Sequence, residues 1–126
     1  MIGYVTLGTN NKKKAEKFYD ELLKEIGGKR FMETDQFTAY SSSQDKPGIG
    51  ITTPFDGKPA TIGNGTMVAL VVDSPDKVNA FYQKAISLGA KDEGKPGPRG
   101  EGGFYAAYFR DLDGNKLNVF CFVKKN

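Results

Sequence analysis

Apolar residues recur along this chain in two rhythms, and the pair of rhythms occurs twice. Over residues 4–8, Val5 and Leu7 alternate with Tyr4, Thr6 and Gly8, the period of a strand whose two faces differ. Ala15, Phe18, Tyr19, Leu22 and Leu23 then fall at the i, i+3, i+4, i+7, i+8 spacing of an amphipathic helix. Sliding residues 4–23 forward by 63 lands them on 67–86 with five of 20 pairs identical, among them Phe18 with Phe81 and Tyr19 with Tyr82. The helical stripe repeats in register as Val78, Phe81, Tyr82, Ala85 and Ile86. Asn10 or Asn11 can cap the first helix and Gly27 end it, while Ser74 with Pro75 opens the second and Gly89 closes it.

Further along, residues 37–51 match 105–119 at an offset of 68, pairing Ala39 with Ala107, Tyr40 with Tyr108 and Asp45 with Asp113. Each stretch reads as two strands joined by a turn, at 43–47 in one half and 111–115 in the other. Short strands near 30–33 and 91–93 complete each half as βαβββ. The five residues by which the offsets differ fall among Gly94, Pro96, Gly97, Pro98, Gly100, Gly102 and Gly103, which predicts a lengthened, mobile loop. Pro54, Gly57, Pro59, Gly63 and Gly65 mark a linker. The expected fold is therefore α+β: one domain of two βαβββ modules, residues 1–53 and 66–126, joined by residues 54–65.

Composition narrows the chemistry. The 126 residues include no histidine and one cysteine, so a Ser/His/Asp triad, a Cys/His pair, an HExxH zinc site and an intramolecular disulfide are all excluded. The longest apolar run is six residues, at 67–72, too short to span a bilayer. At the amino terminus apolar residues precede the basic ones, the reverse of a secretory signal, and a cytoplasmic location is expected. The net charge of +3 includes Lys12, Lys13, Lys14 and Lys17 at the start of the first helix. Without βαββαβ order or a basic residue and glycine directly before the aromatics of GGFYAAYF, these read as a solvated surface, and neither a nucleic-acid nor a membrane partner is expected.

The tandem βαβββ order, ending in YFRDLDGNKLNVF, resembles the vicinal oxygen chelate superfamily of glyoxalase I, bleomycin-resistance proteins, fosfomycin-resistance enzymes and extradiol dioxygenases. The resemblance covers essentially the whole chain, and the superfamily's DPDGN turn stands here as Asp111, Leu112, Asp113, Gly114 and Asn115. It implies two curved sheets around a cleft, helices on the outer faces, and a homodimer. It also implies a divalent metal held by His or Glu at equivalent positions of the two modules. In this sequence those positions are Tyr4, Gly50, Met67 and Asn118, none a good ligand for a hard or borderline cation, so no metal cofactor is expected.

Strand alternation turns Tyr4, Thr6, Gly50, Thr52, Met67, Asn118 and Phe120 toward the cleft, where they are the candidate ligand-binding residues together with Arg99. Tyr105 and Tyr108 lie on opposite faces of one strand, and the pattern leaves open which one faces the cleft. Arg99, in the Gly-rich stretch, is a possible anion contact, although a plain connection accounts for that stretch as well. Glu101 is the only carboxylate placed near the cleft mouth and the sole candidate general base, its plainer reading being a solvated acid. Asp111, Asp113 and Asn115 lack calcium-loop spacing and read as a hairpin turn, with Arg110 the expected partner of its aspartates. Cys121 shares a face with Val119 and Val123 and reads as an inert buried thiol.

Together these features point to a metal-free protein binding an apolar or aromatic small molecule. The alternatives are a metal-dependent glyoxalase- or dioxygenase-like enzyme with non-standard ligands, and a dimeric scaffold with no ligand.

Overall fold

The structure, a computed structural model, describes residues 1–124. Its backbone divides into two compact units, Met1–Gly63 and a second beginning at Asn64, so the division falls inside the expected linker. Each unit is a four-stranded sheet with one helix on one face.

In the first unit β1 (Tyr4–Gly8) leads into α1 (Lys12–Lys24), followed by β2 (Lys29–Glu33), β3 (Phe37–Ser41) and β4 (Gly48–Thr52). The strand order is β1-β4-β3-β2, with β1 parallel to β4 and the remaining pairs antiparallel. Asn11 caps α1, its side chain accepting from the Lys14 N–H at 3.2 Å. Asn10, the other candidate cap, instead exchanges two hydrogen bonds with the backbone of Ala60, at 3.1 and 2.7 Å, and so ties the linker to the end of β1. The helical stripe of Phe18, Tyr19, Leu22 and Leu23 is buried, as are Leu7, Ile49 and Ile51 on the helix-facing side of the sheet. Each such side chain contributes roughly 1.5–3 kcal/mol by leaving water.

A polar network bridges α1 and its sheet. Tyr40 donates to Asp20 at 2.8 Å and Thr38 to Glu16 at 2.7 Å, while Arg30 grips Asp20 through two 2.7 Å bonds. Burial works to raise the Glu16 and Asp20 pKa values, but these hydrogen bonds and the nearby cations outweigh it and hold both below the usual carboxylate range. The Tyr40 hydroxyl is pushed up, first by burial and then by Asp20.

The second unit runs β5 (Val68–Val71), α2 (Pro75–Ser87), β6 (Lys91–Pro98), β7 (Phe104–Arg110) and β8 (Lys116–Phe122), in sheet order β5-β8-β7-β6. Ser74 caps α2 with Pro75 in its first turn, as its sequence predicts. Val78, Phe81, Tyr82 and Ala85 pack toward Ala107, Phe109, Leu117 and Val119, all buried. Burial raises the pKa of Cys121 on this same face, in keeping with an inert thiol.

Three expectations are corrected here. The Gly/Pro-rich stretch is not a long mobile loop: β6 continues through Gly94, Pro96, Gly97 and Pro98, and the extra residues are absorbed by register shifts between Asp92 and Gly94 and between Gly94 and Gly97. An edge strand tolerates prolines because only one side of it pairs, and glycine accommodates bulges. The turn that remains is residues 99–103.

Second, the Tyr40/Tyr108 match is one residue out of register. Tyr40 pairs with Ile49, whereas the residue pairing with Leu117, the counterpart of Ile49, is Phe109. The second hairpin is shorter by one residue, so Tyr108 corresponds to Ala39 and lies on the face away from the helix. Tyr105 points the other way and donates to Asn79 of α2 at 2.8 Å, so Tyr105 lies on the helix side of the sheet and Tyr108 on the opposite face.

Third, Arg110 bonds Glu93 at 2.7 Å and the carbonyl of Gly114 at 2.9 Å, bracing the turn through its backbone instead of its aspartates. The turn organises itself: Asp111 accepts from the Asp113 and Asn115 N–H groups, both at 2.9 Å.

Candidate functional site

The face of each sheet away from its helix holds most of the candidate residues, and the two faces are built differently. In the first unit cross-strand partners place Tyr4 beside Gly48, Thr6 beside Gly50, Phe37 beside Thr52 and Ala39 beside Gly50. Tyr4 is 62% exposed and meets Phe37 edge-on, ring centroids 6.1 Å apart. Thr6 is exposed. Gly50 is buried, and the Phe37 ring occupies the space a side chain there would need. Thr52 donates its hydroxyl to the carbonyls of Gln36 and Thr53, at 3.2 and 2.8 Å, so that group is committed to the end of the strand.

Where β1, β2 and the β3–β4 turn converge, a cavity of about 410 Å³ opens, within the roughly 300–1,000 Å³ of small-molecule sites. Tyr4 and Phe31 supply its aromatic lining, Lys29, Arg30 and Lys46 its cations, and Ser42 and Gln44 polar groups from the turn. Gly48 lines it as well, and its missing side chain is needed: a Cβ there would come within 2.9 Å of the Tyr40 carbonyl and 3.2 Å of the Phe31 ring.

On the second sheet Tyr108 is the central side chain. The Arg99 guanidinium and the Lys116 ammonium each lie 5.5 Å from its ring centroid, a cation–π arrangement. Arg99 also donates to the Lys95 and Gly97 carbonyls, at 2.7 and 2.9 Å, and so braces the bulged strand. Asn118 is on the expected face but only 2% exposed, its amide donating to the Ala107 carbonyl at 3.0 Å. The directional handle expected of it is thus spent inside the sheet. Phe120 packs with Phe104 and Phe122, at 5.4 and 5.9 Å between centroids. Met67 stands one residue before β5 and is 42% exposed, and Glu101 is exposed in the β6–β7 turn.

Residues 1–119 match the family described as Glyoxalase/Bleomycin resistance protein/Dioxygenase superfamily. The chain belongs to this superfamily. A glyoxalase/bleomycin resistance protein from Albidiferax ferrireducens T118 is 35% identical, with a TM-score of 0.88 over 98% of this chain and 99% of that one. The fosfomycin resistance protein FosX from Listeria monocytogenes shares the fold at 15% identity, with a TM-score of 0.75 over 98% and 93% of the two chains. A superfamily enzyme from Burkholderia phytofirmans PsJN is similar at 17% identity and a TM-score of 0.76, over 96% of this chain and 98% of its own. No curated protein matches significantly.

The metal that superfamily resemblance implies does not fit the donors present at the equivalent positions. Tyr4 offers a neutral phenol and Met67 a thioether, Gly50 has no side chain and lies under a ring, and the Asn118 amide is buried and bonded. A divalent cation needs anionic oxygen, thiolate or imidazole donors. Among the described residues, no three His, Cys, Asp or Glu side chains cluster to supply them.

Several residues of this face escape the sequence pattern. Phe31, Lys29 and Lys46 lie outside the positions that superfamily resemblance marks, and Phe37, beside the cavity, looks like ordinary strand hydrophobicity. One signal was present: two glycines two apart, Gly48 and Gly50, leave room on one face for neighbouring rings.

Proposed function

We propose that this superfamily member is a small-molecule-binding protein that works without a divalent metal, taking an apolar or aromatic ligand at the first sheet's open face. The cavity beside Tyr4 carries this reading, because it combines aromatic side chains with polar groups in its lining, the composition of an organic-ligand pocket. Tyr4 and Phe31 would contact the ligand's apolar body, while Phe37, packed against Tyr4 and over Gly50 outside the cavity lining, would hold the Tyr4 ring in place. Phe120 and Tyr108 offer a comparable aromatic surface on the second sheet, whereas Arg99 and Asn118 act structurally. A homodimer is part of the proposal and is checked by the solution mass of the purified protein.

The test is a small-aromatic library screened by amide NMR against protein stripped with chelator. Binding appears as shifts at Gly3, Tyr4 and Gly48 that Tyr4→Ala reduces while the fold persists. Metal-dependent turnover abolished by Glu101→Gln, or shifts confined to other residues, would overturn it.

A further inference from the structure

The cavity at Tyr4 has a charge imbalance that its apolar walls do not explain. Lys29, Arg30 and Lys46 all line it, and no carboxylate does. The Arg30 charge is already matched: its guanidinium meets Asp20 at 2.7 Å, Glu33 at 3.1 Å and Glu16 at 3.2 Å. Lys29 and Lys46 remain. Lys29 pairs across the sheet with Ser41, which puts it on the same face as Phe37 and Ala39. Lys46 comes from the β3–β4 turn, where its charge also acts on the neighbouring Asp45 carboxylate, which accepts from Ser43 and lies outside the lining. Two lysines from separate elements thus line a cavity whose lining also includes the Tyr4 and Phe31 rings and no carboxylate. A neutral ligand leaves this positive potential unused, while an anion with a flat apolar body uses both the rings and the charge.

We propose that the cavity recognises an aromatic carboxylate, its ring against Tyr4 and Phe31 and its carboxylate toward Lys29 and Lys46, an assignment that rests on the binding function proposed above. Lysines act here as flexible point charges on a rim, so selectivity is for charge more than for geometry. Exposed pairs of this kind are worth little singly, and two together favour the anion about tenfold over a neutral ligand of the same shape.

The experiment titrates 2-naphthoate and its neutral amide, 2-naphthamide, into the full chain while following the Gly3, Tyr4 and Gly48 amides, at low and at high salt. The expected result is about tenfold tighter binding of the carboxylate, a preference that shrinks as salt rises. Lys29→Gln and Lys46→Gln should each remove about three- to fivefold of it and together abolish it, with thermal stability unchanged because both side chains are exposed. Equal binding of the two probes would overturn the anion preference and leave the binding site standing. No shift at these amides with either probe would overturn the binding site and the anion preference together.

Discussion

The ring of Phe37 lies over the backbone of Gly50 and fills the space that a side chain at that position would need. Gly50→Ala should therefore displace the ring or the strand and cost about 1–3 kcal/mol, the usual range for overpacking. Denaturant melts of Gly50→Ala, Phe37→Ala and the double variant check this. The double variant should be more stable than the sum of the two singles, since the clash disappears with the ring.

Because the equivalent positions lack suitable donors, thermal-shift titration of chelator-stripped protein with Mg, Mn, Fe(II), Co, Ni and Zn should give no stabilisation. A site filled at 100 times its dissociation constant would add about 2.7 kcal/mol, several degrees for a domain of this size. One ion producing that shift at one per chain would show that the ligands lie elsewhere.

Asn118→Ala should behave as a core substitution. It removes the donor that reaches the Ala107 carbonyl and leaves a small void, for a loss of about 1–3 kcal/mol readable as a lower urea midpoint.

Arg99→Ala should loosen the bulged end of β6, because the lost guanidinium bonds satisfied the Lys95 and Gly97 carbonyls. Amide exchange should speed up over residues 94–103, while 2-naphthoate affinity stays the same. Arg99→Lys should not restore protection, since one ammonium does not reproduce the planar fork that spans two carbonyls and covers the Tyr108 ring.

Acid should weaken the seam between α1 and its sheet. Asp20 and Glu16 are held below their ordinary values of 3.8 and 4.5, so their contribution is complete above those values and is lost as pH falls through the depressed ones. Asp20→Asn should be less stable than the parent at neutral pH, and the gap should narrow below about pH 4 in urea melts. At the alkaline end the sign reverses. Tyr82 donates to Asp92 at 2.8 Å and is pushed up to about 12, by burial first and the carboxylate second, so its contribution holds below its ordinary value of 10.0 and disappears as pH rises toward 12. Tyrosinate absorbance should show this group titrating late, and Tyr82→Phe should remove that component.

Much of the fold was written in periodicities. The strand alternation at 4–8, the two helical stripes and their capping residues fix βαβββ twice, because buried faces need those spacings however the modules are arranged. The errors have local physical causes. An Ala-Tyr dipeptide repeated in both halves concealed a one-residue difference in hairpin length, and in a strand one residue is a change of face. Glycines and prolines read as a loop because their propensities do not reveal that the stretch borders a sheet. The candidate site was legible only in part: parity put Tyr4, Thr6, Gly50 and Phe120 on the sheet faces away from the helices, but whether a polar group such as Asn118 or Arg99 is left for a ligand depends on which carbonyls lie nearby. Lys29 and Lys46 come to line one cavity through the fold alone, from segments whose surfaces look like ordinary solvated charge.

Pro96 and Pro98 do more than survive in β6. They remove two amide donors from an eight-residue border of the second sheet, and the bulges around Gly94 break the even spacing of the rest. A strand from another chain approaching that border meets an incomplete ladder, so fibril growth or domain exchange along β6 is disfavoured from the start. The same stretch that lengthens the second module thus acts as protection against aggregation.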